Sequence, residues 1–234
     1  MSTPLTSGLS PAAPATASLE ALSPQVAASL TAAIVSDSLD ACGLRHQVMA
    51  RDVVPVRPGL RAFGRAATVS FVPDDRDSED PYAAAIAALD ALTDGAVVVI
   101  ATGGDDRTAY WGELFSAAAT GRGAVGTVTD GPTRDTDKVA ALGYPLFGLG
   151  TRPLDYRARM AVASVGEPVS CGGVEVAPGD IVLADEDGVV VIPRAHEAEV
   201  LARAVARASA EGSVLTELLA GARLREVWDR WRVL

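Results

Sequence analysis

Arg134 and Asp135 stand side by side at the end of an apolar run, and Glu113 precedes them by a gap of 20 residues. An arginine beside a carboxylate suits the chemistry of small oxo-acids. A guanidinium can clamp a carboxylate with two parallel hydrogen bonds or steady a developing oxyanion. Asp135 is a hard oxygen donor of the kind that holds a divalent cation whose shell substrate and water complete. Glu113 adds a second carboxylate. The same residues also read as an Arg–Asp loop pair and a Glu stabilising a helix N-terminus, and residue types alone weigh the two readings about equally.

The stretch 103–135 positions these residues. It follows the apolar run AVVVIA (96–101), opens a helix over 111–121, turns at Gly121-Arg122-Gly123 and enters a second apolar run at 124–128. Read as strand–loop–helix–strand–loop, both loops fall at the carboxyl ends of neighbouring parallel strands, where open α/β sheets bind ligands. The helix start offers uncapped N–H groups to an anion, and Gly103-Gly104 are expected to permit its close approach. The pattern lacks GxGxxG and GxxxxGK[ST], so nucleotide binding has little support.

Composition removes most other chemistries. Lys138 is the only lysine, so a Schiff-base mechanism would depend on it alone. Cys42 and Cys171 form no CxxC motif, and two histidines, His46 and His196, leave little for a histidine metal site or a Ser-His-Asp triad. A net charge of −10 argues against nucleic acid as a partner. No apolar run approaches a membrane span and no secretory signal is evident, so the expectation is a soluble cytoplasmic protein.

At 234 residues the chain fits a single domain over 19–234 behind a flexible tail, 1–18, that is rich in Ser, Thr, Pro and Ala. Ser23-Pro24 predicts a helix running to about residue 34, and a second short helix covers 36–42 and ends at Gly43. Asp37 and Asp40, three apart, are expected to serve the helix dipole and solvent. Strands are predicted at 53–56 and 64–72, an acidic solvated loop at 73–80 and an Ala-rich helix over 82–92. A short helix at 137–142 and a strand at 144–149 complete an α-β-α-β-α-β unit. From Met160 turn signals recur at short intervals, which predicts hairpins. Helices follow over 194–210 and near 214–219, and Trp228 and Trp231 share a face of an amphipathic end as anchors for packing or a subunit contact.

The segment WGELFSAAATGRGAVGTVTDGPTRD (111–135) resembles the RraA-like family, which includes 4-hydroxy-4-methyl-2-oxoglutarate and 4-carboxy-4-hydroxy-2-oxoadipate aldolases. GGVEVAPGDIVLADEDGVVVIP (172–193) is similar to that family's β region, as are DSLDACG (37–43) and 64–72. The resemblance covers roughly 25–220. It implies an α/β fold, a swivelling β/β/α sandwich with a parallel α/β unit and a hairpin-rich β region, assembled as a homotrimer or dimer of trimers. It also implies a Mg²⁺- or Mn²⁺-dependent lyase that cleaves a 4-hydroxy-2-oxo acid to pyruvate, with oxaloacetate decarboxylation as a side activity. Asp135 would then be the metal-side carboxylate and Arg134 the residue holding the oxo-acid. Gly112, Glu113, Leu114 and Phe115 would offer backbone N–H groups. Glu113 stands where many aldolases of the family have Asp, and Glu211 is the candidate for a carboxylate contributed by a neighbouring subunit. The alternative the resemblance leaves is a non-catalytic regulator of ribonuclease activity that acts by binding protein.

Overall fold

The computed structural model describes residues 17–234. The expectation of a flexible tail lies, apart from Ala17 and Ser18, outside the described residues.

Two short helices come first, α1 (Pro24–Ser29) and α2 (Ala32–Ala41). The chain breaks between them at Leu30, earlier than the expected break at about residue 35. Thr31 caps α2 by accepting the Ile34 N–H at 3.2 Å, and Asp185 accepts the Ala32 N–H at 2.8 Å. Arg61 closes the other side of the break by donating to the carbonyls of Ala27 and Leu30. Asp37 therefore lies in mid-helix and not at a helix start, and it pairs with Arg207 at 2.5 Å.

The central part follows the predicted alternation: β1 (Val54–Pro55), β2 (Ala62–Pro73), α3 (Ala83–Asp90), β3 (Ala96–Ala101), α4 (Glu113–Gly121), β4 (Gly126–Thr129), α5 (Thr136–Ala141) and β5 (Leu146–Gly148). Short strands then succeed one another: β6 (Met160–Val165), β7 (Val169–Cys171), β8 (Val174–Val176), β9 (Ile181–Asp185) and β10 (Gly188–Ile192). Two helices end the chain, α6 (Glu197–Leu219) and α7 (Leu224–Trp231). One continuous α6 replaces the two expected helices. Gly212 weakens a helix by only about 1 kcal/mol, and beyond it buried Val214 and the contacts of Glu217 with Arg230 and Trp231 hold the continuing helix. Helix α7 folds back on α6, where the Trp231 indole N–H donates to Glu217 at 3.0 Å. No helix among the described residues is long and apolar enough to cross a membrane.

The main sheet runs β1-β5-β4-β3-β2-β9-β10. Strands β2, β3, β4 and β5 are parallel, with Val97 opposite Gly126 and Thr127 opposite Leu146. The long β2 is the hub: its first half pairs antiparallel with β9 and its second half with β6. Val48 bridges Val190 just before β1, so the two ends of the sheet meet and it nearly closes. The expected α/β sandwich with a parallel unit and a hairpin-rich region is the fold observed.

Strand β3 is buried at every position because both of its faces are covered. Val97 and Val99 face an inner core that the β7–β8 hairpin closes with Val169, Cys171, Val174 and Val176. Val98 and Ile100 face an outer core with Leu89, Ala119 and Val139 from α3, α4 and α5. A third core joins α2 and α6 to β9 and β10.

A partly buried ion network, with Glu197 buried and Glu20 exposed, ties the start of the described chain to this frame. The Arg65 guanidinium donates to both carboxylate oxygens of Glu20 and of Glu197, and Glu197 also accepts the Leu19 N–H at 2.9 Å. Burial pushes the Glu197 carboxyl up, but the Arg65 and Leu19 hydrogen bonds outweigh it and hold it below the usual range. A carboxylate whose folded-state pKa is depressed contributes stability above its unfolded pKa and loses it as pH falls through the folded value. Glu197→Ala is expected to cost about 2–3 kcal/mol at neutral pH, towards the low end for a broken buried pair because Arg65 keeps Glu20. Denaturant titrations of wild type and variant should converge as the pH drops below about 4.

Candidate active site

Three loops at the carboxyl ends of β3, β4 and β5 lie side by side. Ala109 bridges Asp155 in parallel and Thr133 bridges Thr151. The Arg134 N–H donates to the Trp111 carbonyl at 2.8 Å, and the Ala109 N–H donates to Leu154 at 2.7 Å. This backbone stitching brings Gly112, Glu113, Arg134 and Asp135 together as the sequence predicts, and it adds Asp155.

Asp135 precedes α5 in the left-handed region, at φ 56° and ψ 29°. Few residues other than glycine adopt that conformation, though Asp tolerates it better than most. Such strain persists where the surroundings enforce it and often marks function. Its Oδ2 lies 3.5 Å from the Glu113 nitrogen and 3.8 Å from Arg134 Nε. Gly112 makes this approach possible, since a Cβ there would sit 2.7 Å from Asp135 Oδ2. The close-approach role expected of Gly103-Gly104 therefore belongs to Gly112. A Cβ at either of the earlier glycines meets nothing within 4 Å, and they serve the loop through positive φ.

Helix α4 starts at Glu113, where Gly112 supplies no side-chain cap and Asp135 Oδ2 accepts the Glu113 N–H at 3.5 Å. Leu114 and Phe115, whose N–H groups have no partner within the helix, line the crevice. The Glu113 side chain turns to Lys138, with Oε2 2.9 Å from Nζ. The carboxylate beside it raises the pKa of Lys138 above its ordinary value. That ion pair keeps the amine charged, the wrong state for a Schiff-base nucleophile.

Sequence reasoning missed Asp155. Its Oδ2 accepts from Arg134 Nη1 at 3.1 Å and from the Tyr82 hydroxyl at 2.7 Å, which fixes the guanidinium over the crevice. Burial works against ionisation, but the Arg157 N–H, the Tyr82 hydroxyl and Arg134 together hold the Asp155 carboxyl below the usual range. The carboxyl-edge rule, applied to the strand at 144–149, would have pointed to this loop. Other acids of 103–135 serve elsewhere. Asp105 accepts from Tyr110, Thr108 and Arg107 and organises its own loop. Asp130 turns away to Thr102 and the Gly172 N–H of the β7–β8 hairpin.

The resulting cavity, about 330 Å³, has an aromatic wall of Tyr82, Tyr110, Trp111, Phe115 and Tyr156 and a charged rim of Glu113, Arg134, Asp135 and Asp155. No group of three or more His, Cys, Asp or Glu side chains that could hold a metal occurs among the described residues. The donor set instead fits a hard cation such as Mg²⁺, which needs one or two carboxylates and keeps its waters. Asp135, 41% exposed, is the carboxylate available for it. Glu211 lies on α6, paired with Arg207, and is not brought to the crevice within this chain.

The family model described as RraA-like, Aldolase/RraA, matches residues 32–191. Protein DlpA of Legionella pneumophila is 30% identical over 192 residues, which are 82% of this chain but 31% of that protein, so the chain spans about a third of it. A protein of Halalkalibacterium halodurans with the provisional name 4-hydroxy-4-methyl-2-oxoglutarate aldolase is 33% identical over 73% of this chain and 76% of its own. The crystal structure of Streptomyces coelicolor RraAS2, described as an unusual member of the RNase ES inhibitor RraA protein family, superposes with a TM-score of 0.74. It is 27% identical and covers 83% of this chain and 98% of that one.

Proposed function

The chain belongs to the RraA-like family, and we propose that it is a divalent-metal-dependent lyase that cleaves a 4-hydroxy-2-oxo acid to release pyruvate. One observation carries the reading: an arginine held by Asp155, a strained Asp135 and the start of α4 converge on one crevice. A substrate C1 carboxylate would sit on the Leu114 and Phe115 N–H groups. As the C4 hydroxyl gives its proton to a water and its oxygen becomes the new C4 carbonyl, the C3–C4 bond breaks and its electron pair passes towards the C2 oxygen. Arg134 is placed to donate to the enolate that forms, which then takes a proton from water at C3 to leave as pyruvate. Asp135 would hold Mg²⁺ or Mn²⁺, which when bound supplies Lewis-acid stabilisation of that oxygen. The aromatic wall limits water around the reacting carbons, and oxaloacetate would decarboxylate through the same enolate.

The relatives' names support the aldolase reading, while RraAS2 supports a second one, a regulator that works by binding protein. The two part on one assay. Pyruvate should appear from oxaloacetate with added Mg²⁺ and disappear with EDTA; no release under any metal would leave the regulator. Lys138→Ala should retain pyruvate release within about tenfold, and borohydride with pyruvate should leave the wild-type chain unlabelled. A homotrimer or dimer of trimers belongs to the same proposal, with Glu211 reaching the crevice from a neighbouring copy.

A further inference from the structure

All four tyrosines of the chain sit in or against the outer core, and three have partners for their hydroxyls. Tyr82 donates to Asp155, Tyr110 donates to Asp105 at 2.9 Å, and Tyr144 shares a 2.9 Å hydrogen bond with Thr127. The Tyr156 hydroxyl is buried and has no partner among the described residues. The residue is 3% exposed and its ring is fixed on three sides: edge-on to Phe71 at 5.0 Å and Tyr82 at 5.5 Å, and stacked on Tyr110 at 6.2 Å.

A buried hydroxyl left unpaired is costly, and native structures seldom keep one without a use. Tyr156 lines the same crevice as Arg134, Asp135 and Asp155 and follows Asp155 directly in the chain. We propose that the Tyr156 hydroxyl is a hydrogen-bond donor for an oxygen of an oxo-acid bound in the crevice, a substrate-binding residue beside Arg134. The inference rests on the oxo-acid reading above. Burial pushes the phenol pKa up, so the group stays a donor throughout the neutral range. The aromatic wall then has two tasks, excluding water and presenting one fixed O–H to the ligand.

Tyr156→Phe tests this in the full chain, since Phe keeps the ring in its cluster and removes only the oxygen. Without ligand the variant should melt at or slightly above the wild-type temperature, because nothing inside the protein loses a partner. Calorimetric titration with pyruvate and Mg²⁺ should show affinity about 5- to 10-fold weaker, the value of one hydrogen bond. KM for the oxo-acid should rise by a similar factor, with kcat within about twofold. Tyr144→Phe is the control: it should lower the melting temperature and leave pyruvate affinity unchanged. If Tyr156→Phe melts lower and binds pyruvate as wild type does, the hydroxyl serves an internal partner such as a buried water, and the inference is overturned while the lyase reading stands. A wild-type chain that binds no pyruvate, with or without Mg²⁺, overturns both.

Discussion

Arg134→Ala is expected to lower metal-stimulated pyruvate release by about 10²–10³-fold in kcat/KM, the loss typical of removing one donor aimed at a developing oxyanion. Asp135→Ala should lose at least as much, together with the response to Mg²⁺. Both side chains are substantially exposed, 38% and 41%, so neither change should shift the melting temperature by more than a few degrees. Asp155→Asn provides a graded comparison. It leaves Arg134 in place but weakens the contact that aims it, and groups that orient a functional residue typically account for 10- to 100-fold. Pyruvate release unchanged in both Arg134→Ala and Asp135→Ala would sink the lyase reading.

Much of this frame was legible from the chain because it rests on local patterns. The all-apolar run at 96–101 had to be a strand with both faces covered, and β3 is that strand. The recurrence of Gly and Pro after Met160 had to give hairpins, and β7 to β10 follow. Arg134, Asp135 and Glu113 could be singled out by residue type and spacing. What stayed hidden depends on contacts between distant segments. Asp155 matters only because the loop after β5 lies against the loop after β3, a bridge without a sequence motif. Left-handed Asp135 could not be read from an Arg-Asp dipeptide. The break at Leu30 was misplaced because Arg61 and Asp185, far along the chain, cap the two helix ends. The single helix α6, where two were expected, likewise depends on distant contacts: buried Val214 and the bonds of Glu217 to Arg230 and Trp231 hold it past Gly212.

Gly112→Ala separates these levels most sharply. At φ −161° the position is extended backbone that any residue can adopt, so alanine introduces no conformational strain. It introduces a methyl group 2.7 Å from Asp135 Oδ2 and 3.1 Å from Arg134 Cγ. One or both side chains must move, and a displacement of about 1 Å in a catalytic array can cost about 10²-fold in rate. The expected result is therefore a loss of about 10²-fold in kcat/KM with a stability cost of about 1–3 kcal/mol, the usual range for an overpacked site. Gly103→Ala supplies the opposite profile. Its φ of 68° penalises alanine, yet nothing lies within 4 Å of the new methyl group, so it should lose about 1 kcal/mol of stability and keep its activity. If Gly112→Ala instead keeps full activity, the carboxylate over the start of α4 is a bystander, and Asp135 must be removed from the mechanism.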